Sequence, residues 1–200
     1  GFSTLDPQNP GNPAALLRSG REMAEVLVAR NPEVDFYLTA TWSRPDLTYQ
    51  GDSPWTGKSI DAMGIDVNAA YSQLADEVDG VKGVNPVGLA FNRAMSTGVA
   101  DPNPYDGIAA DQVDLYTFDH YHASSFGYYL EALVVFGNVT GVDPRVLGTS
   151  ECSSFELGMS GAQAEALQQV AADELMAAGV SLKKPSGLTM PARAASCATP

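Results

Sequence analysis

The stretch LYTFDHYHASSFGYYLEALVVFGNVTG, residues 115–141, is the one on which the reading of the fold turns. It opens with an apolar, strand-like run, Leu115-Tyr116-Thr117-Phe118. It closes with an amphipathic helix expected over 124–139. A buried strand that breaks into a helix start is where an α/β fold presents reactive side chains, at the carboxyl end of its sheet. Both histidines of the chain, His120 and His122, lie here, and Asp119 stands three residues before His122.

The Asp-x-x-His spacing has a chemical use. A neutral imidazole works as a base when one ring nitrogen is held and the other is free. A carboxylate that accepts from Nδ1–H fixes the tautomer and stabilises the imidazolium formed during proton transfer. Three residues in a tight turn bring Asp119 beside His122 with no help from distant segments. Ser124 or Ser125 then caps the following helix. The bland alternative is that Asp119 and His122 are loop residues that hydrogen-bond locally.

Asp119-x-x-His122, a small residue and serine, then Gly127-Tyr128-Tyr129-Leu130 and an apolar helix, resembles the last block of the SGNH (GDSL-type) hydrolases. Pro86-Val87-Gly88-Leu89-Ala90-Phe91 resembles the strand before that block, and Thr39-Ala40-Thr41-Trp42 the end of an earlier strand. The resemblance spans roughly residues 2–141. It implies a three-layer α/β/α fold with a mostly parallel central sheet, and a Ser-His-Asp triad of which His122 and Asp119 form the acid/base half. It implies a serine esterase or deacylase acting on acyl esters of small molecules or on acetylated sugars, with no cofactor and no metal.

Composition narrows the partners. The net charge of −13 argues against nucleic acid, whose phosphates need a basic surface, and against docking on anionic lipid. No apolar run approaches the roughly 20 residues of a membrane helix. Two hundred residues with 44% hydrophobic and 18% charged side chains suit one globular domain, expected over 1–180, with an extended tail over 181–200. The two cysteines, Cys152 and Cys197, are either a disulfide tying the tail to the body or two isolated thiols. The first alternative suits a secreted or extracytoplasmic protein. Gly1-Phe2-Ser3 opens no signal peptide, so the sequence reads as a processed or truncated product.

Along the chain, residues 1–13 read as loop. Asn12-Pro13 supplies an N-cap and a first-turn proline for a helix over 14–29, with Leu16, Leu17, Met23, Val26 and Leu27 near one face. A buried strand is expected over 34–41, then a long loop over 42–57 carrying Trp42, Tyr49 and Trp55. Those aromatics line a pocket or cover a satellite core, and the second reading has the edge. A helix is expected over 59–78 with Ile60, Met63, Val67, Ala70, Tyr71 and Leu74 at helical spacing, then a strand over 81–91. Residues 101–107 match no calcium-loop spacing and read as solvated loop. Residues 142–155 read as loop, and Ser160 with Gln163 forms a capping box for a helix over 161–178 that Gly179 ends.

The triad needs a nucleophile. The family's G-D-S block is absent, as is a recognisable G-x-N-D block. Gly1-Phe2-Ser3 is the nearest echo, with no strand before it. The simplest expectation is that these residues are the C-terminal part of a longer hydrolase. Its N-terminal part would supply the serine, and this chain alone would be inactive. Ser124 and Ser125 follow His122 too closely and fit capping better. Two other readings compete. Asp119, His120 and His122 form D-H-x-H, and alternation along a strand would put both imidazoles on one face to hold zinc for a metal-dependent hydrolase. An acidic α/β body with aromatics at 42–55 would also suit a non-catalytic module binding carbohydrate or a partner surface.

Overall fold

The computed structural model describes residues 11–187 and Cys197. Most of the loop expected over 1–13, the Gly1-Phe2-Ser3 segment and most of the 181–200 tail lie outside the described residues. The protein is mixed α/β, and the described strands form a two-stranded parallel sheet. The chain divides into two compact units, residues 1–89 and 90–200.

In the first unit, α1 (Pro13–Arg30) starts as the sequence predicts: the Asn12 side chain accepts from the Ala15 N–H and Pro13 fills the first turn. Its inner face differs from expectation. Leu16 and Ala24 are buried, whereas Met23, Val26 and Leu27 are exposed. A small-residue seam explains this. Gly20 lies against the Leu74 side chain so closely that a Cβ would collide with it. The helix therefore docks on Leu16, Gly20 and Ala24 and turns Met23, Val26 and Leu27 outward.

Strand β1 (Phe36–Thr39) runs parallel to β2 (Val81–Asn85), and α2 (Asp61–Glu77) lies between them in sequence, the crossover that parallel strands require. Met63, Val67, Ala70 and Leu74 of α2 join Leu16, Ala40 and Trp55 in one buried cluster. Of the three aromatics in the long loop, Trp55 belongs to the core and Tyr49 is exposed. Trp55 is 2% exposed, and its indole N–H donates to Asp66 at 2.8 Å, so it covers core.

The strand expected over 81–91 stops at Asn85. Residues Val87–Ser96 form a helix, α3, so the resemblance of 86–91 to a strand is corrected. Val87, Ala90, Phe91, Ala94 and Met95 recur at helical spacing, and all are buried. Pro86 stands just before the helix, where its missing N–H costs no bond. The Gly88 N–H donates to the Ala40 carbonyl at 2.9 Å, and a Cβ at Gly88 would collide with the Thr41 carbonyl.

In the second unit, α4 (Ser125–Thr140) packs against α6 (Gly161–Ala177). Leu130, Leu133 and Val134 of α4 are buried, as are Ala164, Leu167, Val170, Ala171 and Leu175 of α6, the face the sequence predicts. A Cβ at Gly137 would collide with Leu175, so the helices meet at close range. The capping box of Ser160 and Gln163 is formed on both arms. The segment read as loop holds a 3-10 turn, Pro144–Ser150, and a short helix, α5 (Cys152–Glu156), whose first amides Glu151 caps. Cys152 and Cys197 are disulfide-bonded, with Cα atoms 5.2 Å apart. Lys183 pairs with Gly141 and Asp143 through its backbone, which fastens the chain just after α6.

Buried polar groups knit this unit. The Gln168 amide donates to the Tyr129 hydroxyl at 3.0 Å and to the Gly148 carbonyl at 2.9 Å. Burial is the first cause of a Tyr129 hydroxyl pushed well above the usual phenol range. The Arg93 guanidinium donates to the largely buried Glu174 carboxylate at 2.8 Å.

Candidate functional site

Residues 113–124 lead the chain into α4. The Val113 N–H donates to the Val99 carbonyl, and its own carbonyl accepts from Asp101, both at 3.0 Å. Leu115 and Tyr116 are buried, and the Tyr116 ring meets Phe91 edge-on at 5.9 Å. The strand-like run ends there. Thr117 is only partly buried, Phe118 is 94% exposed, and an isolated bridge at Tyr116 stands where the sequence predicts a strand, so the buried strand read over 115–118 is corrected.

The chain then reverses tightly. Tyr116 bridges Ala123 in antiparallel sense. The Ser124 N–H donates to the Leu115 carbonyl and the Thr117 N–H to the His122 carbonyl, each at 2.9 Å. At the tip the His120 N–H donates to the Thr117 carbonyl at 2.9 Å, and His120 takes the left-handed φ of 52°. Ser124 anchors the far side. Its hydroxyl donates to the Asp114 carbonyl at 2.6 Å and accepts from the Phe126 and Gly127 N–H groups. Capping is thus the role of Ser124, as the sequence predicts. Gly127 sits where a Cβ would collide with the Leu115 carbonyl and press on Ala123 and Phe91, so only glycine lets α4 start this close to the reversal.

The turn brings Asp119 and His122 together. Asp119 Oδ2 lies 2.6 Å from His122 Nδ1. Asp119 Oδ1 accepts from the Thr117 hydroxyl at 2.6 Å, the His122 N–H at 2.9 Å and the Tyr121 N–H at 3.0 Å. These contacts hold the carboxyl well below the usual carboxylate range, the Thr117 hydroxyl first and the His122 imidazole next. A charged carboxylate at that distance requires a proton on Nδ1. In the neutral imidazole, Nε2 then carries the lone pair. The His122 side chain is 58% exposed, and Nε2 has no hydrogen-bond partner among the described residues. One face of the ring lies against Tyr121, centroids 4.4 Å apart. Chemically, this is an oriented imidazole in a side chain more than half exposed, with no protein partner on its second nitrogen among the described residues.

His120 goes elsewhere. Its ring sits 4.1 Å from Tyr105, and its Nδ1 is buried with no hydrogen-bond partner. The expectation that alternation along a strand sets both imidazoles on one face is corrected: residues 118–121 form a turn, and the left-handed His120 backbone breaks the alternation. Among the described residues no group of three or more His, Cys, Asp or Glu is placed to hold a metal ion. Both oxygens of Asp119 are already engaged within the turn.

The sequence pairs Asp119 with His122 and gives Ser124 the cap of α4, and each of these contacts spans only a few residues. Sequence reasoning missed Thr117, which it counted only as part of an apolar run. The signal was present: a hydroxyl two residues before an aspartate, on the inner side of a turn, is within reach of the carboxylate. No protein-family model, curated protein or solved structure matches this chain.

Proposed function

We propose that Asp119 and His122 are the acid/base half of a Ser-His-Asp site in an SGNH-type ester hydrolase. The observation that carries this reading is the 2.6 Å contact between Asp119 Oδ2 and His122 Nδ1, on an imidazole whose side chain is 58% exposed. In the proposed reaction His122 Nε2 removes the serine proton as the hydroxyl oxygen attacks the ester carbonyl. His122 then returns that proton to the departing alkoxide, and Asp119 stabilises the imidazolium between the two steps. The serine is proposed to come from sequence outside these 200 residues. Ser124, the serine nearest in sequence, has its hydroxyl committed to Asp114 and to the start of α4.

The reading carries a larger fold with it, a three-layer α/β/α body around a mostly parallel sheet. The parallel pair of β1 and β2, joined through α2, is compatible with part of such a sheet. The proposed substrates are acyl esters of small molecules or acetylated sugars. The disulfide supports a secreted or extracytoplasmic setting, since such bonds persist where the surroundings are oxidising.

A fluorophosphonate probe tests the proposal on the longest native form of the protein. One serine should be labelled, and His122→Ala should abolish the labelling. Labelling at the parent rate in His122→Ala, or no labelled serine in the parent, removes the assignment.

A further inference from the structure

Thr117 is tied to the turn at three points. Its N–H donates to the His122 carbonyl and its carbonyl accepts from the His120 N–H, both at 2.9 Å. Its hydroxyl lies 2.6 Å from Asp119 Oδ1 and 3.3 Å from the His122 carbonyl. One hydroxyl proton serves one acceptor well, and the nearer, charged oxygen takes it. The threonine side chain is β-branched and stiff about χ1, and its backbone is pinned on both sides. The hydroxyl is therefore fixed in space by the same turn that it supports.

That matters because a carboxylate turns easily about its terminal bond. The two backbone N–H groups on Oδ1 leave some of this freedom. A third donor from the fixed threonine fills Oδ1, and Oδ2 is then the oxygen left to face Nδ1. We propose that Thr117 is a positioning residue: it locks the Asp119 carboxylate so that His122 keeps its proton on Nδ1 and its lone pair on Nε2. The inference rests on the reading of Asp119 and His122 as an acid/base pair, but its direct readout is the imidazole itself, with or without a substrate.

The test is the tautomer of neutral His122, read by long-range nitrogen–carbon NMR on the 200-residue chain labelled at histidine. In the parent the Nδ1–H form should dominate. In Thr117→Val the ratio of Nδ1–H to Nε2–H should fall roughly threefold to tenfold, and Thr117→Ser should restore it. If Thr117→Val does not fold, Thr117→Ala against Thr117→Ser reads the same difference. A parent ratio in Thr117→Val or Thr117→Ala overturns the role, whatever the fluorophosphonate experiment shows. A shifted ratio in a protein that labels no serine upholds Thr117 as the positioning residue and removes only the hydrolase reading. In an active form, kcat should fall by a similar factor with KM unchanged, while a purely structural loss would lower the active fraction and leave the tautomer ratio alone.

Discussion

Two carboxylates in this chain each hold a ring N–H, one in each unit. Asp66 accepts from the Trp55 indole at 2.8 Å, and Asp119 faces the His122 imidazole at 2.6 Å. The distances are similar, and the two rings differ in burial. Trp55 is 2% exposed and lies in a cluster with Leu16, Met63, Val67 and Ala70, whereas the His122 side chain is 58% exposed. An indole has one nitrogen, which the bond to Asp66 uses, so burying the ring leaves nothing unsatisfied. An imidazole has two, and the bond to Asp119 leaves the second open. The same contact thus finishes a core in one place and, on the proposed reading, prepares a base in the other.

The largest expected effect breaks the second contact alone. Asp119→Asn in an active form should lower ester turnover by about three to four orders of magnitude, because the amide can hold the wrong tautomer of His122. Asp66→Asn, the matching change at the indole, should leave turnover within a factor of about two and cost about 1 kcal/mol of stability. Steady-state kinetics on both variants, with denaturation followed by circular dichroism, makes the comparison. Equal losses of turnover would show that the two contacts do the same work.

Next in size is a change to the buried member. Trp55→Ala should destabilise the first unit by about 3–5 kcal/mol, through lost burial and the cavity left behind. Hydrogen exchange at α2 amides should rise accordingly, while the tautomer of His122 stays put. A change of under about 1 kcal/mol would mean that Trp55 is a surface aromatic after all.

Legibility in the sequence divides along the same line between local and distant contacts. Asn12 before Pro13, Ser124 before α4 and the Ser160–Gln163 box are contacts within one turn, and each formed as the spacing predicts. Asp119 and His122 belong with them. Errors arose where side-chain size stood in for packing. Met23, Val26 and Leu27 read as the inner face of α1, but Gly20 and Ala24 let that helix approach Leu74, and close approach decided the face. Val87 to Phe91 read as a strand because five small or apolar residues in a row carry no clear period. The burial of Ala94 and Met95 beyond them completes the helical pattern. The reversal at 118–121 holds no glycine or proline, so nothing punctuated it, and His120 supplies the left-handed residue instead.

A smaller effect tests how firmly α4 holds the turn. Gly127→Ala places a methyl group against the Leu115 carbonyl, a backbone atom that cannot swing aside. The expected cost is about 1–3 kcal/mol by denaturation. Because Leu115 also pairs with Ser124 at the base of the turn, the Asp119–His122 contact should loosen, seen as a partial shift of the His122 tautomer. Stability loss with an unmoved tautomer would show that the turn holds its shape without α4.

The smallest effect is a matter of protons. Asp119 is held below its ordinary range in the fold, by Thr117 first and His122 next, and returns to about 3.9 in the unfolded chain. A carboxyl depressed by folding contributes stability that is fully present above its unfolded value and is lost as pH falls through its folded one. The stability difference between the parent and Asp119→Asn should therefore shrink in acid, as pH falls below about 4. The penalty of Gly127→Ala is steric, involves no proton and should hold steady over the same range. Because Asp119 lies at the surface, added salt should weaken its contribution, while the contact of Asp66 with the uncharged Trp55 indole should respond less. A parent-to-variant difference that still grows below about pH 4 would mean that the carboxyl is raised by folding, and the imidazole would then lack the charged partner that orients it.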